Sequence, residues 1–405
     1  MALFISGLCG ALFWTLALFF QDRVVGLTPF QMVFLGTAAE IAITLCEIPT
    51  GVVADSYSRK LSVIIGFALV GVGYGMQPLV PSFAGLLFGM VLWGIGETFL
   101  SGAFEAWVAD ELIAEGSPVT AAAMYVRGTQ ANQLGSFVGI WLSVWIGSWS
   151  LGWPLVASGV GYLLLGGLLF VIMPEKGFHR NADRETWARL WGTVTHGFRL
   201  ARARPLLLDA LLIVFLIGFG SEVFDRLWNK HLTVLGLPDL GSLSPIVWFA
   251  IIRSLALVLS FGMLAYLRRR KVEADGKLVV RAVMVLGVGL AILVAGFGLA
   301  TTFWLAFPAY ILASAARRCL DPLMSGWIND HAEPEVRATM LSLKGQTHGF
   351  GELFGGPVLG SVAQLTSIRF ALLGSSFVNL LATMAAVRSS RRVGAQNGRI
   401  ETESS

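Results

Sequence analysis

Twelve stretches of this chain are each long enough and apolar enough to cross a bilayer, and that removes most folds at once. They fall at about 2–21, 31–54, 61–79, 83–109, 121–147, 152–173, 206–229, 244–267, 278–299, 301–329, 338–364 and 368–388. Crossing the hydrocarbon takes about 20 helical residues, whereas barrel strands read as ~10-residue segments of alternating polarity. The runs here are long and unbroken, so helices are expected. Only 13% of the 405 residues are charged and 55% are hydrophobic, against about 25% charged in soluble domains. Such a chain cannot cover a water-facing surface, and it reads as an all-α integral membrane protein.

Several connections, such as Pro78 to Ser82 and Ser148 to Gly152, are only a few residues long. Successive spans must then be antiparallel neighbours. The first run, Leu3 to Phe20, has no basic segment before it and no small-residue cleavage pattern before Gln21, so it is expected to be a retained helix. Cys9, Cys46 and Cys319 lie inside apolar runs without paired spacing, which points to neither a disulfide framework nor a metal site. No cofactor is expected.

The net charge of +4 does not indicate nucleic acid, because the basic residues sit in short loops between spans. One set of loops holds Arg59 and Lys60, the many arginines of 176–204, Arg268 to Lys271, Arg337 and the tail from Arg388. The other has little beyond Arg23, Lys230 and Arg369. The positive-inside rule then places both termini in the cytoplasm. The longest connection divides the chain into a bundle at 1–173, a linker at 174–205, a second bundle at 206–390 and a disordered tail at 391–405. In the linker, Trp187, Leu190, Trp191, Val194 and Phe198 recur at helical spacing among arginines, as in an amphipathic helix lying on a leaflet.

The halves resemble each other. Ala106-Trp107-Val108-Ala109-Asp110 at the end of span 4 matches Gly326-Trp327-Ile328-Asn329-Asp330 at the end of span 10. Each is followed by an Ala-x-Met entry (Ala122 to Met124, Ala338 to Met340), then Arg127-Gly128 or Lys344-Gly345, then Gly139 or Gly356. Several matches in register indicate a duplicated six-helix unit.

Between spans 2 and 3 lies Gly51-Val-Val-Ala-Asp-Ser-Tyr-Ser-Arg-Lys60, where glycine and alanine allow close helix approach and Asp55, Arg59 and Lys60 sit just outside the hydrocarbon. With Glu47 to Thr50 before it, this stretch resembles the cytoplasmic signature of the major facilitator superfamily, and the likeness covers essentially the whole chain. Ser101 to Trp107 and Glu335 to Met340 look like the branch grouped with drug:proton antiporters. The second-half loop Gly262 to Lys271 lacks the aspartate, and span 5 has Gly135 and Gly139 but no Gly-Pro pair; span 11 carries Gly355-Gly356-Pro357 instead. The resemblance implies twelve helices in two pseudo-symmetric bundles, with spans 1, 4, 7 and 10 lining a central cavity. It also implies a cytoplasmic gate in which Asp55 faces the N-terminus of span 11 and Arg59 pairs with Asp110.

A charge within the membrane is costly unless paired or hydrated, so ionisable residues in those spans carry information. Span 4 offers Glu97, Ser101 and Glu105 at spacings of four, on one slowly turning face. Glu97 and Glu105 are candidate proton carriers, or are simply hydrogen-bonded to neighbouring helices. Span 7 brings Glu222, Asp225 and Arg226, either as a local pair of Arg226 with Glu222 or as an outer gate. In span 10, Arg317 or Arg318 is neutralised by Asp321 within one turn, or faces Glu97 across the cavity. Glu40, two turns before Glu47 in span 2, is a further proton candidate. Lys344, His348 and Glu352 recur at four-residue spacing in span 11, where His348 is either a proton site or structural. Trp14, Phe13, Phe19, Trp93 and Trp107 are candidates for aromatic cavity walls, although membrane tryptophans are mostly interfacial anchors.

No nucleophile and base pair or phosphate loop is visible, so an enzyme is not expected. The leading expectation is a monomeric secondary transporter in the cell membrane, surrounded by lipid and exporting a small amphipathic or lipophilic molecule in exchange for protons. Metabolite uptake or lipid translocation by the same fold is the alternative, and a non-transporting sensor or scaffold is a third reading.

Overall fold

The computed structural model describes residues 1–178, 205–272, 276–332 and 337–403, and the described chain is helical with no strand. The amphipathic linker helix expected around Trp187 to Phe198 lies outside the described residues. The described chain forms two compact units, of which the first holds the helices up to residue 172 together with Asp239–Ile251.

In the first unit the helices are α1 (Ala2–Arg23), α2 (Pro29–Ser56), α3 (Arg59–Met76), α4 (Phe83–Leu100), α5 (Ala103–Ala114), α6 (Ala121–Gly147) and α7 (Trp153–Ile172). Their starts are written locally. Thr28 accepts from the Gln31 amide with Pro29 behind it, and Ser58, Ser82 and Thr120 cap α3, α4 and α6 in the same way. The remaining helices are α8 (Pro205–Val234), α9 (Val247–Arg269), α10 (Gly276–Leu299), α11 (Phe303–His331), α12 (Arg337–Leu365) and α13 (Ile368–Glu403). Helix α13 runs on to Glu403, through the stretch from 391 expected to be disordered, and no proline interrupts it.

Span 4 is the main departure from expectation. It breaks at Ser101-Gly102, where Gly102 takes φ +74°, so α4 and α5 are separate helices. The apolar pattern runs through this point, and the glycine is what admits a left-handed residue there. Glu97 and Glu105 therefore do not share one helical face.

Within each unit the first and fifth spans cross at glycines. A methyl on Gly7 would overlap the Asn132 carbonyl, one on Gly135 that of Phe4, and one on Gly139 that of Leu8. In the second unit, methyls on Gly218, Gly351 and Gly355 would overlap the carbonyls of His348, Phe215 and Phe219. The same joint is thus built twice, α1 on α6 and α8 on α12, with its spacing kept. Its register pairs Gly139 with Gly355, one residue from the Gly356 that sequence matching selects. Small residues permit such approach where helices must attract one another by packing rather than by exclusion of water. Gly51, by contrast, has open space where a methyl would go, so no close approach depends on it.

Nine stretches of the described chain are long and apolar enough to span a membrane by composition alone, one of them, Phe83–Ala114, running through both α4 and α5; α6, α11 and α12 are not among them. These three carry Arg127 and Asn132, Arg317 to Asp321, and Lys344 to Glu352. The polar residues that lower their hydropathy are the ones that build the sites below.

Candidate functional site

In the first unit a run of aromatic side chains leads to Glu97. Phe13 stacks on Tyr74 with centroids 3.7 Å apart, and Trp14 donates its indole N–H to the Tyr74 hydroxyl at 2.8 Å. Trp93 packs edge-on against Trp14 and donates to the Glu97 carboxylate at 3.1 Å. Phe13 is fully buried within this stack, and Trp107 is half-buried and donates to the Pro174 carbonyl at 2.7 Å. Ser101 is exposed at the break itself and Glu105 is exposed beyond it, where the Glu105 carbonyl accepts from the Tyr125 hydroxyl at 2.7 Å. Glu40 and Glu47 are half-buried on α2.

At the end of this unit where α2 meets α3, Tyr57 and Ser58 are all that separates the two helices. Asp55 lies in the last turn of α2, while Arg59 and Lys60 open α3. Arg59 pairs with Asp110 on α5 and keeps Asp55 at 3.8 Å from its other nitrogen. The segment after α7 closes the cluster, and the sequence reading misses it. The Glu175 carboxylate accepts from the Ser58 hydroxyl at 2.8 Å and the Lys60 amide at 3.0 Å. Buried Glu111 accepts from the amides of Lys176 and Gly177 at 2.6 and 2.8 Å. Glu175 thus serves the first turn of α3, whose amides have no acceptor within the helix.

The second unit holds a cavity of about 410 Å³ between α8, α11 and α12, within the ~300–1,000 Å³ usual for small-molecule sites. Helix α11 contributes Tyr310, Ser314, Arg317, Asp321 and Met324, spaced by three and four and so on one face, with Arg318 beside them. Pro322 interrupts α11 next to these groups, removing the amide that would otherwise bond the Arg318 carbonyl. Asp225 of α8 accepts from Arg317 at 2.5 Å. Asp321 is engaged by Lys344, whose ammonium also reaches the Ser325 hydroxyl at 2.8 Å. The pairing of Asp321 with Arg317 or Arg318 is therefore not made, because α8 and α12 bring better-placed partners.

Behind the cavity wall, Arg226 and Glu222 pair at 3.1 Å with 9% and 5% of their side chains exposed, the local pair their spacing foretells. His348 lies 3.6 Å from the Glu352 carboxylate, which accepts from the Ser221 hydroxyl at 2.9 Å. Arg253 of α9, also unnoticed in the sequence, comes within electrostatic range of Arg318 and Tyr310. Among the described residues no group of histidines, cysteines and carboxylates has the arrangement of a metal site.

The family model of the Major Facilitator Superfamily matches residues 1–274. The uncharacterized MFS-type transporter YxaM of Bacillus subtilis (strain 168) is 22% identical over 338 residues, which is 82% of this chain and 80% of that protein. Among solved structures, the nucleoside transporter NupG aligns with a TM-score of 0.75 at 16% identity, over 96% of this chain and 97% of that one. A POT family transporter in complex with 5-aminolevulinic acid gives 0.71 at 12% identity, over 97% and 95%. A bacterial homolog to the human lysosomal transporter Spinster, inward-facing and occupied, gives 0.70 at 16%, over 96% of each chain. At these identities the solved structures share the fold alone. The family match spans more than half of the sequence and falls on a duplicated set of apolar helices, so this multi-pass membrane protein belongs to the major facilitator superfamily of transporters.

Proposed function

We propose that the protein is a secondary transporter that exports a small amphipathic molecule in exchange for protons by alternating access, and that the second-unit cavity is part of its binding site. One observation carries this reading. Three helices of a membrane protein with few charges converge two ion pairs, Asp225–Arg317 and Asp321–Lys344, on a cavity of about 410 Å³. Ionisable groups on the helices of a membrane protein are rare, and where they line a cavity their usual use is a substrate or proton path. His348 lines this cavity, and Glu352 and Glu222 are close by, Glu352 at 3.6 Å from His348 and Glu222 paired with Arg226. A proton arriving on Glu352 would weaken its hold on His348, and one on Glu222 would release Arg226, so proton occupancy has a route to the wall of the cavity. Glu97, fixed by Trp93, is the corresponding carrier in the first unit, with Glu40 and Glu105 as further candidates.

The basic loops support a cell-membrane orientation with both termini cytoplasmic. On that orientation the Asp55, Arg59 and Asp110 cluster is the cytoplasmic gate, and its ion pairs hold the gate shut while the cavity opens outward. The nucleoside and peptide transporters among the structural neighbours support a second reading, uptake of a metabolite by the same machinery.

The test is proton flux into liposomes containing the purified protein, followed with an enclosed pH-sensitive dye while a panel of drugs and metabolites is added. Glu352→Gln, Glu222→Gln and Glu97→Gln are each compared with the unaltered protein. Substrate-dependent flux should be lost in at least one of them, with binding retained. Undiminished flux in all three would remove proton coupling from these residues, and substrate movement without any proton movement would favour facilitated transport. The sign of the flux separates export from uptake.

A further inference from the structure

The cavity carries one more cation than it neutralises. Arg317, Arg318 and Lys344 line it against two carboxylates, Asp225 and Asp321. Both carboxylates are occupied, one by Arg317 and the other by Lys344. Among the described residues Arg318 has no carboxylate at ion-pair distance. Behind the wall, Glu222 is matched by Arg226, and Glu352 is held by Ser221 and His348. Arg253 brings a second guanidinium into the field of Arg318. The rest of the lining is of another character: Phe224 and Tyr310 stack with centroids 5.1 Å apart, beside Val214, Ile217 and Met324.

We infer that the substrate is an amphipathic organic anion, with its carboxylate or phosphate on the Arg318 guanidinium and its apolar body against Phe224 and Tyr310. A guanidinium presents a planar fork of donors that fits an oxyanion at two points. Arg318 is exposed at the cavity with no carboxylate beside it, and an arriving anion supplies its counter-ion. An organic cation would add a like charge beside Arg318 and Arg253 and would find both carboxylates already engaged. The inference rests on reading this cavity as the binding site, and the experiment separates the two.

The full-length protein, purified in detergent, is titrated calorimetrically with 2-naphthoate, phenyl phosphate, benzyltrimethylammonium and benzyl alcohol. Both anions should bind at least tenfold more tightly than the cation or the alcohol. Arg318→Gln should weaken the anions roughly ten- to hundredfold, the worth of a charge-assisted hydrogen bond, without altering the alcohol. Arg318→Lys keeps the charge but not the fork and should recover part of the loss. Val214→Trp fills the cavity and tests the underlying reading, since anion binding that survives it places the site elsewhere. If Val214→Trp abolishes binding while the unaltered protein ignores the charge of the probe, or while Arg318→Gln binds anions normally, the anion assignment alone fails. Failure of either anion to bind at millimolar concentration also overturns it. Thermal unfolding of each variant confirms folding, and Arg318→Lys decides the case if Arg318→Gln does not fold.

Discussion

Breaking the Glu222–Arg226 pair should cost far more than its one-turn spacing on α8 suggests. The Arg226 Nε lies 3.1 Å from Glu222 Oε2, and the two side chains are 9% and 5% exposed. At an effective dielectric constant of about 20 their attraction is ~5 kcal/mol, and desolvation offsets part of it in the intact protein. A single replacement forfeits the attraction while leaving the other charge desolvated, so Arg226→Leu or Glu222→Gln should each destabilise by about 3–5 kcal/mol. The double variant leaves neither member of the pair stranded and should cost much less than the sum, about 2 kcal/mol or below. The Arg317–Asp225 pair supplies the comparison, with side chains 22% and 43% exposed. Water reaches it, and its coupling should fall to about 1 kcal/mol or less. Reversible unfolding in mixed detergent micelles with increasing dodecyl sulfate, followed by tryptophan fluorescence, measures all six variants. Additive effects in the Glu222/Arg226 cycle, or equal coupling in the two pairs, would refute the reasoning from burial.

The glycine crossings make a second prediction. Gly351→Ala and Gly355→Ala each force a methyl into a carbonyl of α8 and should cost at least the ~1–3 kcal/mol of overpacking; Gly51→Ala, with open space, should be neutral in the same unfolding assay. Gly102→Ala places a side chain at φ +74° and should cost about 1–2 kcal/mol, read as a lowered unfolding midpoint that Gly102→Asn, better tolerated in that conformation, partly restores.

What the sequence reveals depends on how far apart the partners are along the chain. Glu222 with Arg226 and His348 with Glu352 lie four residues apart on single helices, and their meeting follows from helical geometry. The helical architecture follows from hydropathy, and the Arg59–Asp110 pair from family resemblance. Arg317 with Asp225 and Lys344 with Asp321 join different helices, and only the crossing of α8, α11 and α12 decides them. The nearer candidate for Asp321, its own helix neighbour, is the wrong one for that reason. The break at Gly102 is hidden because glycine is common throughout these apolar runs, and spacing alone does not distinguish a packing glycine from a left-handed one. Glu111, near the end of α5, and Glu175, in the segment after α7, escape notice because carboxylates at such places look like solvated charge until the amides they accept from are placed.

The doubled crossing has a consequence for how the two halves divide their work. At the α1–α6 joint the interior polar residues are Asn132, donating to the Leu3 carbonyl, and Ser136, donating to the Gly7 carbonyl. Neither changes charge at any pH a cell meets. In the α8–α12 copy the same seats hold His348 and Glu352, an imidazole and a carboxylate within 3.6 Å of each other. One mechanical joint is built twice, and only the second copy places ionisable side chains in these two seats. Substitution at these two seats can therefore change the charge carried by the second joint while the glycine crossing that both joints share stays as it is.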